Sequence, residues 1–287
     1  MSSSMSSSPL SFSIVVPTYR RLDLLSKCLQ CLSHYFEPGV QEQMGASIEV
    51  IVSDDAQDPD LQALLHLRHP WCIYTSGPSR GPAANRNHCA RMASHEWLVF
   101  TDDDCLPQPG WIEAFARFAH QCDVMEGRTS AVGIRTRIDE ECPINETGGY
   151  LWSCNFAIKR TIFLSMGGFN ELFPAPAMED VELRVRIGKQ GLEPRFVPAA
   201  LVYHPWRRRK GVQFVKSYAL SVAFFVSLHP ENAHRFSFLM QIKNALRSLK
   251  RNIGYAVINR QFCGLFRQYF LDFYSYFMVW SSVRNAR

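Results

Sequence analysis

The sequence predicts an α/β fold, with an open, mostly parallel sheet flanked by helices and a helical extension behind it. Three observations predict it. Apolar, β-branched runs alternate with helical periodicity between residues 12 and 120. Several runs end in aspartates or turn residues, along the rim where open sheets of this type bind ligands. From Arg207 onward the composition turns basic and aromatic.

FSIVVP at 12–17 reads as a buried strand. Between Arg20 and Phe36, Leu22, Leu25, Leu29 and Leu32 recur at helical spacing. IEVIVSDD at 48–55 is a second strand ending in Asp54 and Asp55, and DPDLQALLHL is a helix with an acidic start. WCIYT at 71–75 is a third strand, and GPAANRNHCARMA at 81–93 a helix. EWLVF at 96–100 is a fourth strand, running into TDDDC; PGWIEAFARFAH then begins a helix with proline. VMEGRTSAVGIRTRI at 124–138 reads as strands joined by a turn, and WSCNFAIKR at 152–160 as a strand running into a helix. GGFNELF at 167–173 is a turn, EDVELRVRIGKQG at 179–191 a helix closed by Gly191, and LEPRFVPAALVYHPW at 192–206 extended. The expected organisation is a disordered Ser-rich leader over 1–11, an α/β domain over 12–210 and a basic aromatic helical extension over 211–287.

Composition bounds the function. The apolar fraction is 47%, enough for a full core. The start lacks the basic and apolar regions of a secretory signal, and no run reaches the length of a spanning helix. Nine scattered cysteines then suggest a reducing cytoplasm and free thiols. Cys28 and Cys31 have CxxC spacing inside a helical pattern, which reads as packing rather than metal binding. The net charge of +5 is uneven: beyond Arg207 only Glu231 and Asp272 oppose the basic residues. That imbalance points to an anionic partner. The aromatic, basic tail fits either a peripheral membrane helix or packing on the domain or on a second subunit. No nucleic-acid module is present, and nucleic acid is not an expected partner.

The segment TDDDC raises an electrostatic question. On a strand Asp102 and Asp104 would share a face, roughly 7 Å apart. At an effective dielectric of about 20 they would repel by roughly 2 kcal/mol. A divalent cation would offset that cost, since hard cations take one or two carboxylates and complete their shell with substrate phosphates. A solvated, capping loop is the plainer alternative. The paired aspartates of haloacid-dehalogenase-type phosphatases are a poor match, because Cys-Leu-Pro follows here and the strand is the fourth.

Six segments in order, IVVPTYRR, VSDDAQD, GPAANRN, TDDDCLPQPGW, GGFNE and EDVELRVR, resemble the family 2 glycosyltransferases of GT-A fold, non-processive in type. The resemblance covers residues 12–206 and not the tail. It implies sugar transfer from a nucleotide-diphosphate donor to an acceptor hydroxyl, with Mg²⁺ or Mn²⁺ as cofactor. By the same resemblance Pro17, Thr18, Tyr19, Asp54, Asp55, Arg86 and Asn87 border the nucleotide. Asp102 and Asp103 fall in the donor-binding set, with Asp102 toward the ribose. Asp104 is the metal ligand, and His204 reaches the metal or diphosphate. Cys105 stands where the family often has a further acid. Trp152, Asn155 and Phe156 border the donor sugar or acceptor. Glu179 and Asp180 match the ED pair, with Asp180 as the base of an inverting reaction. A glycan or lipid-linked acceptor, at the inner face of the membrane, follows from the family and the tail. The rival of a different class is a nucleotide-sugar-binding or scaffolding protein on the same fold, without turnover.

Overall fold

The computed structural model describes residues 9–285, so residues 1–8 of the expected leader lie outside the described residues. Strand β1 (Leu10–Thr18) begins at Leu10 rather than Phe12, because Leu10 and Ser11 already pair with Ala46 and Ser47. It is followed by α1 (Leu22–Leu32), a 3-10 turn at Ser33–Phe36 and the short α2 (Val40–Met44). Then come β2 (Ala46–Asp54), α3 (Pro59–Arg68), β3 (Cys72–Ser76), α4 (Pro82–Met92) and β4 (Trp97–Thr101). The second half holds β5 (Leu106–Pro107), α5 (Trp111–Ala116), β6 (Val124–Ala131), β7 (Glu140–Glu141), β8 (Asn155–Lys159) and α6 (Arg160–Ser165). It ends with α7 (Glu179–Lys189), β9 (Arg195–His204), β10 (Arg207–Arg208), α8 (Val212–Leu228), α9 (Phe238–Ile258) and α10 (Leu265–Asn285).

The main sheet has the order β3-β2-β1-β4-β8-β6-β9-β5. The first four strands are parallel, and β8 pairs antiparallel with both β4 and β6. Alternation along each strand sends side chains to two apolar layers. Ile14, Val16, Val50, Val52 and Val99 pack with Leu25, Leu29 and Leu32 of α1. Val15, Ile51, Leu98 and Phe100 face the other way, onto Cys89 and Ala90 of α4 and Phe163 of α6. Phe100 stacks on Phe156 at 4.6 Å between ring centroids. Central strands buried on both faces explain why their sequences read as continuous apolar runs.

The expected strand pair over 124–138 is a single strand, β6. After Ala131 the chain turns at Gly133 (φ +62°). From there side chains hold it instead of a ladder: Glu140 accepts from the N–H groups of Thr136 and Arg137. The two-residue β7 then pairs with β10 in a separate ribbon.

Two compact units result. One holds the chain up to Ser130, Pro143–Glu171 and Leu183–His204, including most of the main sheet. The other holds Ala131–Cys142, Leu172–Glu182 and the chain from Pro205. In the second unit α10 packs against both α8 and α9. Buried Asp139 gathers Arg137 (2.8 Å), Arg267 (2.9 Å) and Arg208 (3.2 Å).

Candidate functional site

The registers Thr18↔Asp54, Asp54↔Ser76 and Val15↔Phe100 align the carboxyl ends of β1 to β4 on one rim. Pairing of β4 stops at Thr101, opposite Asn155. Asp102, Asp103 and Asp104 therefore lie in a turn, closed by the Cys105 N–H on the Asp102 carbonyl at 3.1 Å. The alternate-face geometry of a strand does not apply to them, and each carboxylate finds its own partners. Arg86 Nη2 lies 2.5 Å from Asp102 Oδ1. Asp103 accepts from Thr18 Oγ1 at 2.9 Å and from Arg21 Nη1 at 3.1 Å. The same Arg21 nitrogen is 3.5 Å from Asp104 Oδ2, while His204 Nε2 is 3.6 Å from Asp104 Oδ1. Burial pushes the Asp103 carboxyl up, against the pull of Arg21 and Thr18.

The Asp104–His204 approach joins the turn after β4 to the last residue of β9. Asp104, Cys105 and His204, all buried, offer ligand atoms within 4.8 Å of one another. Burial, with Cys154 beside it, pushes the Cys105 thiol well up, and soft sulfur suits a hard cation poorly. A carboxylate with an imidazole is the part of the set that suits Mg²⁺ or Mn²⁺.

The other residues expected here divide by what their polar atoms already hold. Asp54 is fully buried and accepts from the N–H groups of Ala56 (2.9 Å) and Asp58 (2.7 Å). Asp55 accepts from Ser79 N–H and Gly81 N–H, both at 2.8 Å. Both carboxylates thus brace loops of the rim, each oxygen holding one backbone N–H. Asn87 is buried and clamps the 168–171 loop, donating to Phe169 O (2.8 Å) and Glu171 (2.9 Å) and accepting from Phe169 N–H (2.8 Å). Asn155, 1% exposed, accepts from Trp111 Nε1 and donates to Arg128 O and Ala200 O. The amide groups of Asn87 and Asn155 are thus both hydrogen-bonded within the protein. Phe156 is core.

Pro17 and Thr18 are buried at the end of β1, whereas Tyr19 is 54% exposed. Trp152 is half-buried and stacks on Tyr150 at 5.3 Å. Glu179 and Asp180 belong to the second unit and open α7; Glu179 is buried and Asp180 half-buried. Met178, directly before them, has φ +79°, a strained conformation for a residue with a side chain.

Three residues escaped the sequence reading. Arg21 bridges two of the aspartates. Asn85, buried, donates to Ser53 O at 2.9 Å and faces Ser53 Oγ at 2.5 Å. Glu126, 2% exposed, accepts from the N–H groups of Gly149 (2.5 Å), Tyr150 (3.0 Å) and Leu151 (2.9 Å) and from Asn145 (3.1 Å). It thereby fixes the loop that leads to Trp152. The signal for Glu126 was available: an acid inside the apolar run VMEG.

Known proteins give the same picture. The pre-mycofactocin glycosyltransferase of Mycobacterium tuberculosis is 27% identical over 175 residues, 53% of this chain and 36% of that protein. The GalNAc(5)-diNAcBac-PP-undecaprenol beta-1,3-glucosyltransferase of Campylobacter jejuni is 29% identical over 97 residues, 32% of this chain and 29% of that protein. This chain spans only about a third of the length of these relatives. The mannosyltransferase PcManGT of Pyrobaculum calidifontis, solved with GDP-Man and Mn²⁺, shares the fold with a TM-score of 0.51 at 21% identity, over 80% of this chain and 65% of that one. The family model described as glycosyl transferase family 2 matches residues 13–162, more than half of the chain. With the parallel sheet and the aspartate turn on its rim, this match makes the chain a member of glycosyl transferase family 2, on a GT-A fold.

Proposed function

We propose that the chain transfers a sugar from a nucleotide-diphosphate donor to an acceptor hydroxyl, with inversion at the anomeric carbon. The observation that carries this reading is the approach of His204 to Asp104 at 3.6 Å beside the ends of the parallel strands. Asp104 and His204 would hold Mg²⁺ or Mn²⁺. The bound cation would offset the charge developing on the leaving diphosphate. Asp102 keeps Arg86 and offers the most exposed carboxylate of the three, at 21% against 4% and 1% for the side chains of Asp103 and Asp104. That exposure suits a ribose hydroxyl. Exposed Tyr19 borders the base, and the Tyr150–Trp152 stack borders the sugar or acceptor.

Asp180 takes the proton of the acceptor hydroxyl. The freed oxygen attacks the anomeric carbon, and the electron pair of the breaking C–O bond leaves with the diphosphate. Glu179, buried at the helix start, positions that first turn.

The relatives' names support a glycan product. The Campylobacter protein's name includes an undecaprenol-linked acceptor, which makes a lipid-linked acceptor the natural class for this chain. We place the reaction in glycan or surface polysaccharide synthesis, in the cytoplasm at the inner face of a membrane.

The test is thermal shift with a panel of nucleotide diphosphates, with and without Mn²⁺. Stabilisation by one nucleotide that needs Mn²⁺ and disappears in Asp104→Ala supports the reading and names the donor base. Equal nucleotide affinity with and without Mn²⁺ overturns the role of Asp104. Asp180→Asn is expected to abolish transfer and keep donor binding; a fully active variant removes Asp180 as the base.

A further inference from the structure

Helices α9 and α10 are built inside out. Helix α9 buries Gln241, Ser248, Asn252 and Ala256. It exposes Leu239, Ile242, Leu246, Leu249, Ile253 and Val257, with Leu246 at 60% and Val257 at 61%. Those six positions recur at three- and four-residue spacing, so they form one stripe along the helix. Helix α10 buries Leu271, Val279 and Val283, but also Gln268, Asp272 and Ser275. Outside it shows Phe266, Phe270, Phe273 and Phe277, at 51–91% exposure.

The buried polar groups are bonded to one another. Ser248 Oγ donates to Asp272 Oδ2 at 2.5 Å, Asn252 Nδ2 donates to Ser248 Oγ at 3.1 Å, and Gln268 Nε2 reaches Asp272 at 3.1 Å. Arg209 also pairs with Asp272. The inversion is thus a formed polar seam that fixes which faces point outward. Contiguous apolar surface of this kind marks an interaction site.

Charge identifies the occupant. No acidic residue occurs in Phe238–Ile258. At about 100° per residue, Lys243, Arg247, Lys250 and Arg251 run down one flank of the stripe, and all four are exposed. The partner must therefore be apolar where the stripe lies and anionic beside it. A second copy meeting this face with its helix antiparallel across a two-fold axis would set basic flank against basic flank. Among the described residues no helix is long and apolar enough to cross a membrane. We propose that the outward face of α9, with the phenylalanine row of α10, seats this protein on an anionic lipid bilayer, lying in the interfacial layer rather than spanning it. The contact gives the proposed transfer reaction access to a lipid-linked acceptor and rests on that reading for its purpose alone.

Vesicle flotation of the full chain tests this. The vesicles are phosphatidylcholine, alone or with roughly a third phosphatidylglycerol. We expect flotation with the anionic vesicles, weak flotation with the neutral ones, and release at high salt. Each cation near the surface contributes roughly fivefold, so Lys243→Gln with Lys250→Gln lowers the partition coefficient about 25-fold. Leu246→Glu with Ile253→Glu abolishes flotation and leaves the melting temperature and nucleotide response unchanged, since both side chains point to solvent. Equal binding to neutral and anionic vesicles overturns the proposal, as does no binding by folded protein. A dimer that Leu246→Glu with Ile253→Glu dissociates, without vesicle binding, reassigns the face to self-association. Flotation without any nucleotide response leaves this inference standing and defeats the proposed function; nucleotide response without flotation does the reverse.

Discussion

Replacing Arg21 by methionine separates the electrostatics of the aspartate turn from its packing. Arg21 Nη1 stands 3.1 Å from Asp103 and 3.5 Å from Asp104. At an effective dielectric of 20, each contact is worth roughly 5 kcal/mol before desolvation. The Arg21 side chain is 43% exposed, so water screens most of this, and the net loss is about 1–2 kcal/mol. Without metal, the variant's melting temperature should fall by roughly 2–6 °C. Mn²⁺ should bind more tightly to the variant, because a cation beside the site has gone. About 1.4 kcal/mol there is a tenfold lower Kd. Differential scanning fluorimetry with and without Mn²⁺, together with a Mn²⁺ titration by calorimetry, reads both effects. A variant as stable as the wild type, with unchanged or weaker Mn²⁺ binding, refutes the reasoning. A destabilised variant that ignores Mn²⁺ keeps the charge argument and removes the metal.

Glu126→Gln puts an amide against three backbone N–H groups. It should cost about 2 kcal/mol, a fall of roughly 4–8 °C in a melting scan, and weaken transfer through the loop before Trp152. At Asp139, burial pushes the carboxyl up, but hydrogen bonds from Arg137, Arg267 and Arg208 outweigh it and hold it below its usual value. Its stabilisation is present above about pH 4 and lost as pH falls through the lowered value. Asp139→Asn should therefore cost about 2 kcal/mol at pH 7, after allowance for partly exposed arginines, and progressively less below pH 4 by urea unfolding. In Gly77→Ala the new Cβ would lie 2.6 Å from Asn85 Oδ1 and 2.7 Å from Asp55 Oδ1. That overlap should cost about 2 kcal/mol and remove the nucleotide-dependent thermal shift.

The parallel half of the sheet was legible because its strands are buried on both faces and its helices carry leucine periodicity. The four strands β1 to β4 and the helices between them lie close to where the sequence placed them. The sequence places the fourth strand at 96–100, with strand geometry and a capping loop both open for the aspartates; they lie in a turn, because pairing to β8 stops at Thr101, which nothing in TDDD reveals. The region after Ala131 failed for a related reason. IRTRI alternates like a strand, but its arginines are directed to Asp139 and to the carbonyl of Ile138. The partners of the candidate site residues were not legible, because they lie far along the chain: Asn87 meets Phe169 and Asn155 meets Trp111. The tail read as basic and aromatic, yet composition alone left packing and membrane contact open. The choice depends on which side of α9 is buried, and that is set by Ser248 and Asp272 meeting across two helices.

The acids of the rim can be sorted by what would have to move for a ligand to replace their partners. Asp54, Asp55 and Glu126 hold backbone N–H groups, and those donors are fixed by strands and loops. Stripping them would leave buried amides unpaired, a cost of about 1–3 kcal/mol for each. Asp102, Asp103 and Asp104 instead face side chains: two arginines, a threonine hydroxyl and an imidazole. Arg21 is long and already 43% exposed, so it can swing to water at a cost of about 1–2 kcal/mol, its guanidinium staying solvated. The carboxylates of that turn can therefore exchange a side-chain partner such as Arg21 for a cation or a sugar hydroxyl without stripping the backbone N–H groups that Asp54, Asp55 and Glu126 hold. The like-charge cost of three consecutive aspartates is balanced in the resting protein by groups that can leave, which is the arrangement a site needs if the ligand is to supply the balance when it arrives.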